Sequence, residues 1–308
     1  MRVLVSGAGG FIGRACVAGF AEAGWQVRAI SRRLVAAQSG VEPVLLADFA
    51  SADWGVLLHE VDCVLHLVGV AHQPGASVRE YDAINIDMTA DLARASVASG
   101  VRHFVYLSSI AVHGRGSGMI EESSPLCPTG AYGRSKAVAE ALLRDIARDT
   151  SLRWTVVRPP LVYGPHAPGN FRRLAGLVSL GLPLPLAAAT APRSYIGIDN
   201  LVSALLCIVG NAKAANRTYL VSDNDDMGSA ELIRTMACGA GRRARLWWLP
   251  LWLLRFVAAA LGRSGDAERL FGRLQLDTHA IRRELGWTPD IPAREGIISA
   301  LSGDADGL

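Results

Sequence analysis

Lysine is nearly missing from this chain. Two of its 31 basic residues are lysines, Lys136 and Lys213, and the rest are arginines. The bias reflects genome composition more than function, yet it isolates the positions where lysine is kept. Net charge is only +3 over 308 residues, and no basic run interleaves with aromatics. That argues against a nucleic-acid partner. Cysteines number five, scattered and without a C-x-x-C pair. No disulfide framework is expected, and the thiols read as reduced and cytoplasmic. The seven histidines show no H-E-x-x-H or paired spacing, so no metal is expected. Met1-Arg2 leads straight into Val3-Leu4-Val5 and a glycine turn, without the long apolar region of a secretory leader. Long hydrophobic runs are also scarce. The run from Leu246 to Leu261, LWWLPLWLLRFVAAAL, is shorter than a bilayer span, carries Arg255 and is interrupted by Pro250. Stable membrane insertion is not expected. A buried or partner-facing helix after Pro250 is the favoured reading, and an interfacial helix the minor one.

What is present is a core-forming composition, 50% hydrophobic and 19% charged, in a length suited to one large domain or two small ones. Short apolar runs recur at Arg2–Ser6, Gln26–Ile30, Pro43–Leu46, Cys63–Leu67, His103–Ser108 and Trp154–Arg158. Helical patterns lie between them, at Gly13–Ala23, Ile84–Ser99 and Tyr132–Arg148. Strands alternating with helices predict an α/β fold: a doubly wound parallel Rossmann sheet. After Tyr163-Gly164-Pro165 the pattern turns irregular, returns to α/β at Tyr195–Val209 and Thr218–Ser222, and becomes mostly helical from Ser229. The expected division is a dinucleotide-binding domain over 1–164 and 190–222. A smaller, mostly helical substrate lobe would take 165–189 and 223–308. Ligands of such sheets sit beyond the carboxyl ends of the strands.

The first strand runs into Gly7-Ala8-Gly9-Gly10-Phe11-Ile12-Gly13, which opens a helix. Glycines in that context permit a tight turn and bring backbone N–H groups against a pyrophosphate. The second strand ends in Ser31-Arg32-Arg33 and lacks the acid that usually holds a ribose 2′-hydroxyl. Arginine suits a 2′-phosphate, so NADP(H) is preferred and NAD(H) remains possible. Asp48-Phe49 follows the third strand and would meet the adenine; Leu67-Val68-Gly69 follows the fourth and would pass beneath the cofactor. Ser109 ends the fifth strand, where its hydroxyl can orient a carbonyl. Lys136 lies four residues after Tyr132, on the same helix face. A cation there is expected to lower the phenol's pKa from its usual value near 10 and make it a usable proton donor.

With GAGGFIG, LSSIAVHG, Tyr132-x-x-x-Lys136 and Arg158-Pro159-Pro160-Leu161-Val162-Tyr163-Gly164-Pro165, the chain resembles the extended short-chain dehydrogenases/reductases, the NAD-dependent epimerase/dehydratase family, along its whole length. The resemblance implies that Ser109, Tyr132 and Lys136 are catalytic, with Lys136 also on the nicotinamide ribose and Pro159 near the nicotinamide. It further implies that Asn170 contacts the sugar nucleotide, Arg193 the diphosphate and Leu186 the uracil, with Arg269 or Arg273 a second diphosphate contact. Ser194 stands where the family usually has Asp. The stretches NFRRLAGLVSLGLPLPL, YLVSDNDDMGSAELIRTMA and LQLDTHAIRRELGWTP resemble bacterial polysaccharide-locus members that reduce a UDP-4-keto-6-deoxy-N-acetylhexosamine. A UDP-sugar substrate and a homodimer through the helices near Ile84–Ser99 and Tyr132–Arg148 are the corresponding expectations. A UDP-hexose 4-epimerase is the alternative. A dehydratase ranks below it, because Ile110-Ala111 follow Ser109 where acidic residues would be needed. A non-catalytic NADP sensor is disfavoured by the Tyr and Lys pair.

Overall fold

A computed structural model describes residues 1–33, 35–36, 38–49, 51–71, 77–114, 118–260, 262, 268 and 270–302. Its centre is a parallel sheet of seven strands. These are β1 (Arg2–Ser6), β2 (Gln26–Ser31), β3 (Val41–Leu45), β4 (Cys63–His66), β5 (His103–Leu107), β7 (Arg153–Arg158) and β10 (Arg217–Leu220), ordered β10-β7-β5-β4-β1-β2-β3. The order reverses beside β1, which pairs with β2 on one side and β4 on the other. The short strands β6 (Met119–Ile120) and β11 (Gln275–Leu276) form one small sheet, and β8 (Leu161–Tyr163) and β9 (Tyr195–Gly197) another. The inner strands are buried along their length because helices cover both faces, which is why they read as continuous apolar runs. Pro43 is accommodated because β3 is an edge strand.

On one face α1 (Phe11–Glu22) and α7 (Ile198–Ile208) bury Phe20, Leu201 and Leu205 against Val3, Val5 and Val27. On the other, α4 (Met88–Ala98) and α5 (Gly130–Ala147) bury Leu92 and Leu143 against Leu4, Phe104 and Tyr106. The sheet strands end within a residue or two of the sequence pattern. The pattern at Ile84–Ser99 proves longer and composite. It starts at Ser77, whose hydroxyl and Glu80 form a capping box for α3 (Val78–Asp82). One π-helical turn, Ala83–Asp87, then joins α3 to α4.

A second core gathers Tyr163, Phe171, Leu186, Leu232, Met236, Phe271 and Ile297 from the later half of the chain. It is built from α6 (Asn170–Ser179), α8 (Ser229–Gly239) and the C-terminal helix Ala293–Ser302. Asp223 ties it to the sheet. Its carboxylate accepts hydrogen bonds from the Tyr163 hydroxyl (2.8 Å), Asn200 Nδ2 (2.7 Å) and the Gly197 amide (3.1 Å). The Trp/Leu-rich segment is not the fully buried helix that one of the two expectations allowed. Its helix α9 (Leu251–Ala260) buries none of its residues fully, although Leu251, Leu254 and Ala258 lean on the second core.

Candidate active site

The glycine loop is shaped by close approach. Gly7 sits at φ +80°, and a Cβ on it would lie 3.1 Å from the Val68 amide nitrogen. A Cβ on Gly13 would fall 2.1 Å from the Gly7 carbonyl oxygen, so helix and turn touch backbone to backbone. The Gly7 and Ala8 amides donate to the Ile30 carbonyl, fixing the loop to the end of β2. Gly10 is the N-cap of α1 and brings no side-chain cap. The first amides of the helix therefore keep their capacity for an anion, which the helix dipole also favours. The loop fits a pyrophosphate. Phe11 and Ile12, expected beside it, lean on the second and first cores respectively.

At the end of β2, Ser31 is buried and its hydroxyl bonds the Arg33 carbonyl. Arg32 and Arg33 are exposed just beyond it. After β3, Asp48 is exposed, whereas the Phe49 ring is buried against Trp54, with centroids 5.7 Å apart. After β4, Leu67 and Val68 pass next to Gly7, and Gly69 lets the chain close on Lys136. A Cβ there would stand 3.0 Å from Nζ.

This turn is held by a residue that carried no sequence signal. Asn85, fully buried in the π turn, accepts from the Val70 amide through Oδ1 (2.9 Å). Its Nδ2 donates to the Val70 carbonyl and to Ser135 Oγ. The Asn85 carbonyl takes the Thr89 hydroxyl (2.8 Å), and that oxygen also contacts His66 Nε2 (2.9 Å). Ser6 Oγ lies 2.6 Å from His66 Nδ1. If Thr89 spends its hydrogen on Asn85, His66 donates through Nε2 and accepts from Ser6, a tautomer assigned from the network. Burial and the Lys136 charge lower the His66 pKa to about 3, so the ring is neutral. A π turn in an amphipathic stretch is the kind of irregularity that marks functional positions, but nothing in residue periodicity announces one.

Ser109, Tyr132 and Lys136 converge beyond the end of β5. Ser109 is the N-cap of a 3₁₀ turn, Ile110–His113, accepting from the Ala111 amide at 3.2 Å. Its hydroxyl also hydrogen-bonds the Tyr132 phenol. Tyr132 and Lys136 occupy successive turns of α5. Lys136 is 4% exposed; Nζ donates to the Leu107 carbonyl (2.9 Å) and lies 4.6 Å from the Tyr106 ring centre. Burial takes its pKa from the usual 10.5 to about 7, with Glu140 partly opposing the change. The phenol differs from expectation. Burial raises the Tyr132 pKa, and the Ser109 hydrogen bond only partly counters it. Lys136 is not among the groups that move it; burial and the neighbouring Tyr81 raise it.

Beneath the serine lies a buried charge cluster. Ser108 Oγ donates to Glu140 Oε1 (2.6 Å), and Arg158 grips both Glu140 oxygens, Nε at 2.9 Å and Nη2 at 2.6 Å. Burial works to raise the Glu140 pKa, but the Arg158 guanidinium and the Ser108 hydroxyl hold it below the usual value. Ser108 is thereby committed to structure, which leaves Ser109 as the candidate hydroxyl. Pro159 is buried after β7, its carbonyl accepting the Ile110 amide at 3.0 Å.

The residues expected to hold substrate are more dispersed. Asn170 is exposed at the start of α6, while Leu186 is buried in the second core. Arg193 turns its guanidinium onto the Gly272 and Glu268 carbonyls. Ser194, in place of Asp, donates to Asp226 Oδ1 at 2.6 Å. Arg273 is exposed and reaches Gln275. Arg269 lies outside the described residues. Among the described residues no cluster of His, Cys, Asp or Glu could hold a metal ion, and no helix is long and apolar enough to cross a membrane.

Comparison with known proteins identifies the family. The NAD dependent epimerase/dehydratase family matches residues 3–222. A UDP-glucose 4-epimerase of Vibrio cholerae is 32% identical over 304 residues, covering 96% of this chain and 93% of that protein. The structure of MoeE5 in complex with UDP-glucuronic acid and NAD is similar in fold, with a TM-score of 0.83 at 24% identity over 100% of both chains. UDP-glucuronic acid 4-epimerase from Bacillus cereus in complex with NAD gives a TM-score of 0.82 at 20% identity, over 100% of this chain and 98% of that one. Glycine loop, Ser-Tyr-Lys set and full-length relationship together place the chain in the NAD dependent epimerase/dehydratase family, as an enzyme of the extended short-chain dehydrogenase/reductase type.

Proposed function

We propose that the enzyme uses NADPH to reduce the C4 ketone of a UDP-linked 4-keto-6-deoxy-N-acetylhexosamine, a precursor of bacterial surface polysaccharide. The observation that carries this reading is the end of β2. Ser31 stands there in place of a carboxylate, and Arg32 and Arg33 are exposed beside it. Two guanidinium groups suit a 2′-phosphate, and an exchangeable cofactor suits a reductase.

In this reading the Gly7–Gly13 loop and the α1 N-terminus hold the pyrophosphate, while Asp48 and the Phe49 backbone flank the adenine. Leu67, Val68, Gly69 and Pro159 line the remaining path, and Lys136 takes the nicotinamide ribose. When bound, the nicotinamide supplies the hydride. The Tyr132 hydroxyl delivers the proton to the sugar oxygen, and Ser109 holds that oxygen in line. A phenol is protonated at neutral pH, and burial raises this one's pKa further, so it holds the proton the step needs. Asn170, Leu186, Arg193 and Arg269 would belong to the UDP-sugar side, in a lobe formed by 165–189 and 223–308. The enzyme would work as a cytoplasmic homodimer.

A second reading, a 4-epimerase retaining NAD, is favoured by the Vibrio cholerae UDP-glucose 4-epimerase. Absorbance of the reduced nicotinamide, followed with the 4-keto sugar nucleotide, separates the two. Loss of NADPH in proportion to substrate, faster than loss of NADH, is the expected result. No net consumption, with interconversion of UDP-hexose epimers under NAD, would establish the epimerase.

A further inference from the structure

Helix α9 seats one stripe, Leu251, Leu254 and Ala258, against the second core and turns another apolar stripe outward. Trp252 is 70% exposed and Phe256 67%, and Trp248 just upstream is 67% exposed. Trp247 and Val257 are exposed beside them. Exposed Leu180 and Leu182 belong to the adjoining segment, which is tied to this one by hydrogen bonds from the Leu184 amide to the Arg245 carbonyl (2.8 Å) and from the Trp247 amide to the Leu184 carbonyl (3.1 Å). Aromatic side chains of this size are costly to leave in water as a contiguous patch, and such patches mark interaction surfaces.

Charge narrows the occupant. Arg242, Arg243 and Arg245 are exposed immediately before Trp247. The sequence has no acidic residue from Leu232 to Gly265, nor from Thr150 to Ile198, which includes Arg172, Arg173 and the exposed leucines. Glu268 brings a carboxylate to α9, 3.9 Å from the Arg255 guanidinium. A two-fold contact across this face would set it against a second copy of the same arginine-rich, acid-poor segment. A surface of phosphate head groups over acyl chains matches both features. Arginines pair with phosphates, while tryptophan rings prefer the boundary between head groups and chains.

We propose that this face docks on an anionic lipid bilayer, with α9 lying in the plane of the interface. Trp248, Trp252 and Phe256 enter the head-group boundary, and Arg242, Arg243 and Arg245 rest on lipid phosphates. Each arginine near an anionic surface contributes a modest, salt-sensitive increment, so the three together are worth about a hundredfold in partitioning.

The full-length protein would be floated with vesicles of phosphatidylcholine alone and of phosphatidylcholine with phosphatidylglycerol. Flotation with the anionic vesicles, a blue shift of tryptophan emission and release by salt are expected. The R242Q/R243Q/R245Q variant should lose about a hundredfold in partitioning. The W252S/F256S variant should lose at least about tenfold, because two large rings leave the boundary. Both should keep wild-type circular dichroism and turnover. Absence of flotation, or flotation unchanged by both variants, would overturn the proposal. A dimer dispersed by W252S/F256S without any vesicle affinity would assign the face to a second copy instead.

Discussion

Helix α5 buries two opposite charges one turn apart, and treats them differently. Glu140 has a guanidinium on both oxygens and a serine hydroxyl besides. Lys136 has a carbonyl and an aromatic face, with no carboxylate in contact among the described residues. A paired buried charge keeps its ionisation and braces the structure; an ammonium without a carboxylate partner is held at a cost and becomes easy to deprotonate. The first pattern is architecture. The second is what a site retains when the missing partner is a ligand or a reacting group, and it explains lysine here in an arginine-rich chain. Arginine stays charged at any accessible pH and needs more donors satisfied than this cavity offers.

The contrast predicts opposite responses to mutation. Glu140→Ala should cost about 3–5 kcal/mol, since it strands the Arg158 guanidinium. Urea unfolding reads this directly, and a Glu140→Gln/Arg158→Met double variant should recover part of the loss. An equal loss in the double variant would break the comparison. Lys136→Met should abolish turnover, yet stabilise the cofactor-free protein by about 1–2 kcal/mol at pH 6, because it removes a desolvated cation of matching volume. Destabilisation would show that Lys136 is a structural charge like Glu140.

The smallest effect concerns pH. The folded-state pKa of Lys136 is depressed from 10.5 to about 7. Between those values the unfolded chain binds the extra proton, so this residue makes stability rise with pH above about 7. The wild-type minus Lys136→Met stability difference should therefore climb between pH 7 and 8.5, by up to about 1.4 kcal/mol per pH unit. A flat difference would mean that the ammonium is not perturbed.

Much of the sheet half was legible because local and global signals agree there. Val3-Leu4-Val5 before a glycine turn reads as a buried strand; Gly7 sits at φ +80° in tight quarters, and Gly13 sits where a Cβ would collide with backbone. The Tyr132–Lys136 spacing places both on one helix face. Less was legible where partners are distant in sequence. Nothing local marks Glu140 and Arg158 as a bidentate pair, or Asn85 as the clamp on Val70. The fall of the phenol's pKa was expected from spacing alone, whereas burial, which needs the whole fold, sets its direction. Likewise the apolar composition of α9 left burial and a partner-facing role both open, because composition does not say whether a covering element exists.

The most direct measurement is pre-steady-state turnover and cofactor binding of Tyr132→Phe. With the phenol as proton donor, cofactor affinity and melting temperature should stay at wild-type values. Reduction of the sugar ketone should slow by about 10²–10⁴-fold. Retained turnover in this variant would contradict the assignment of Tyr132, and with it the role given to Lys136.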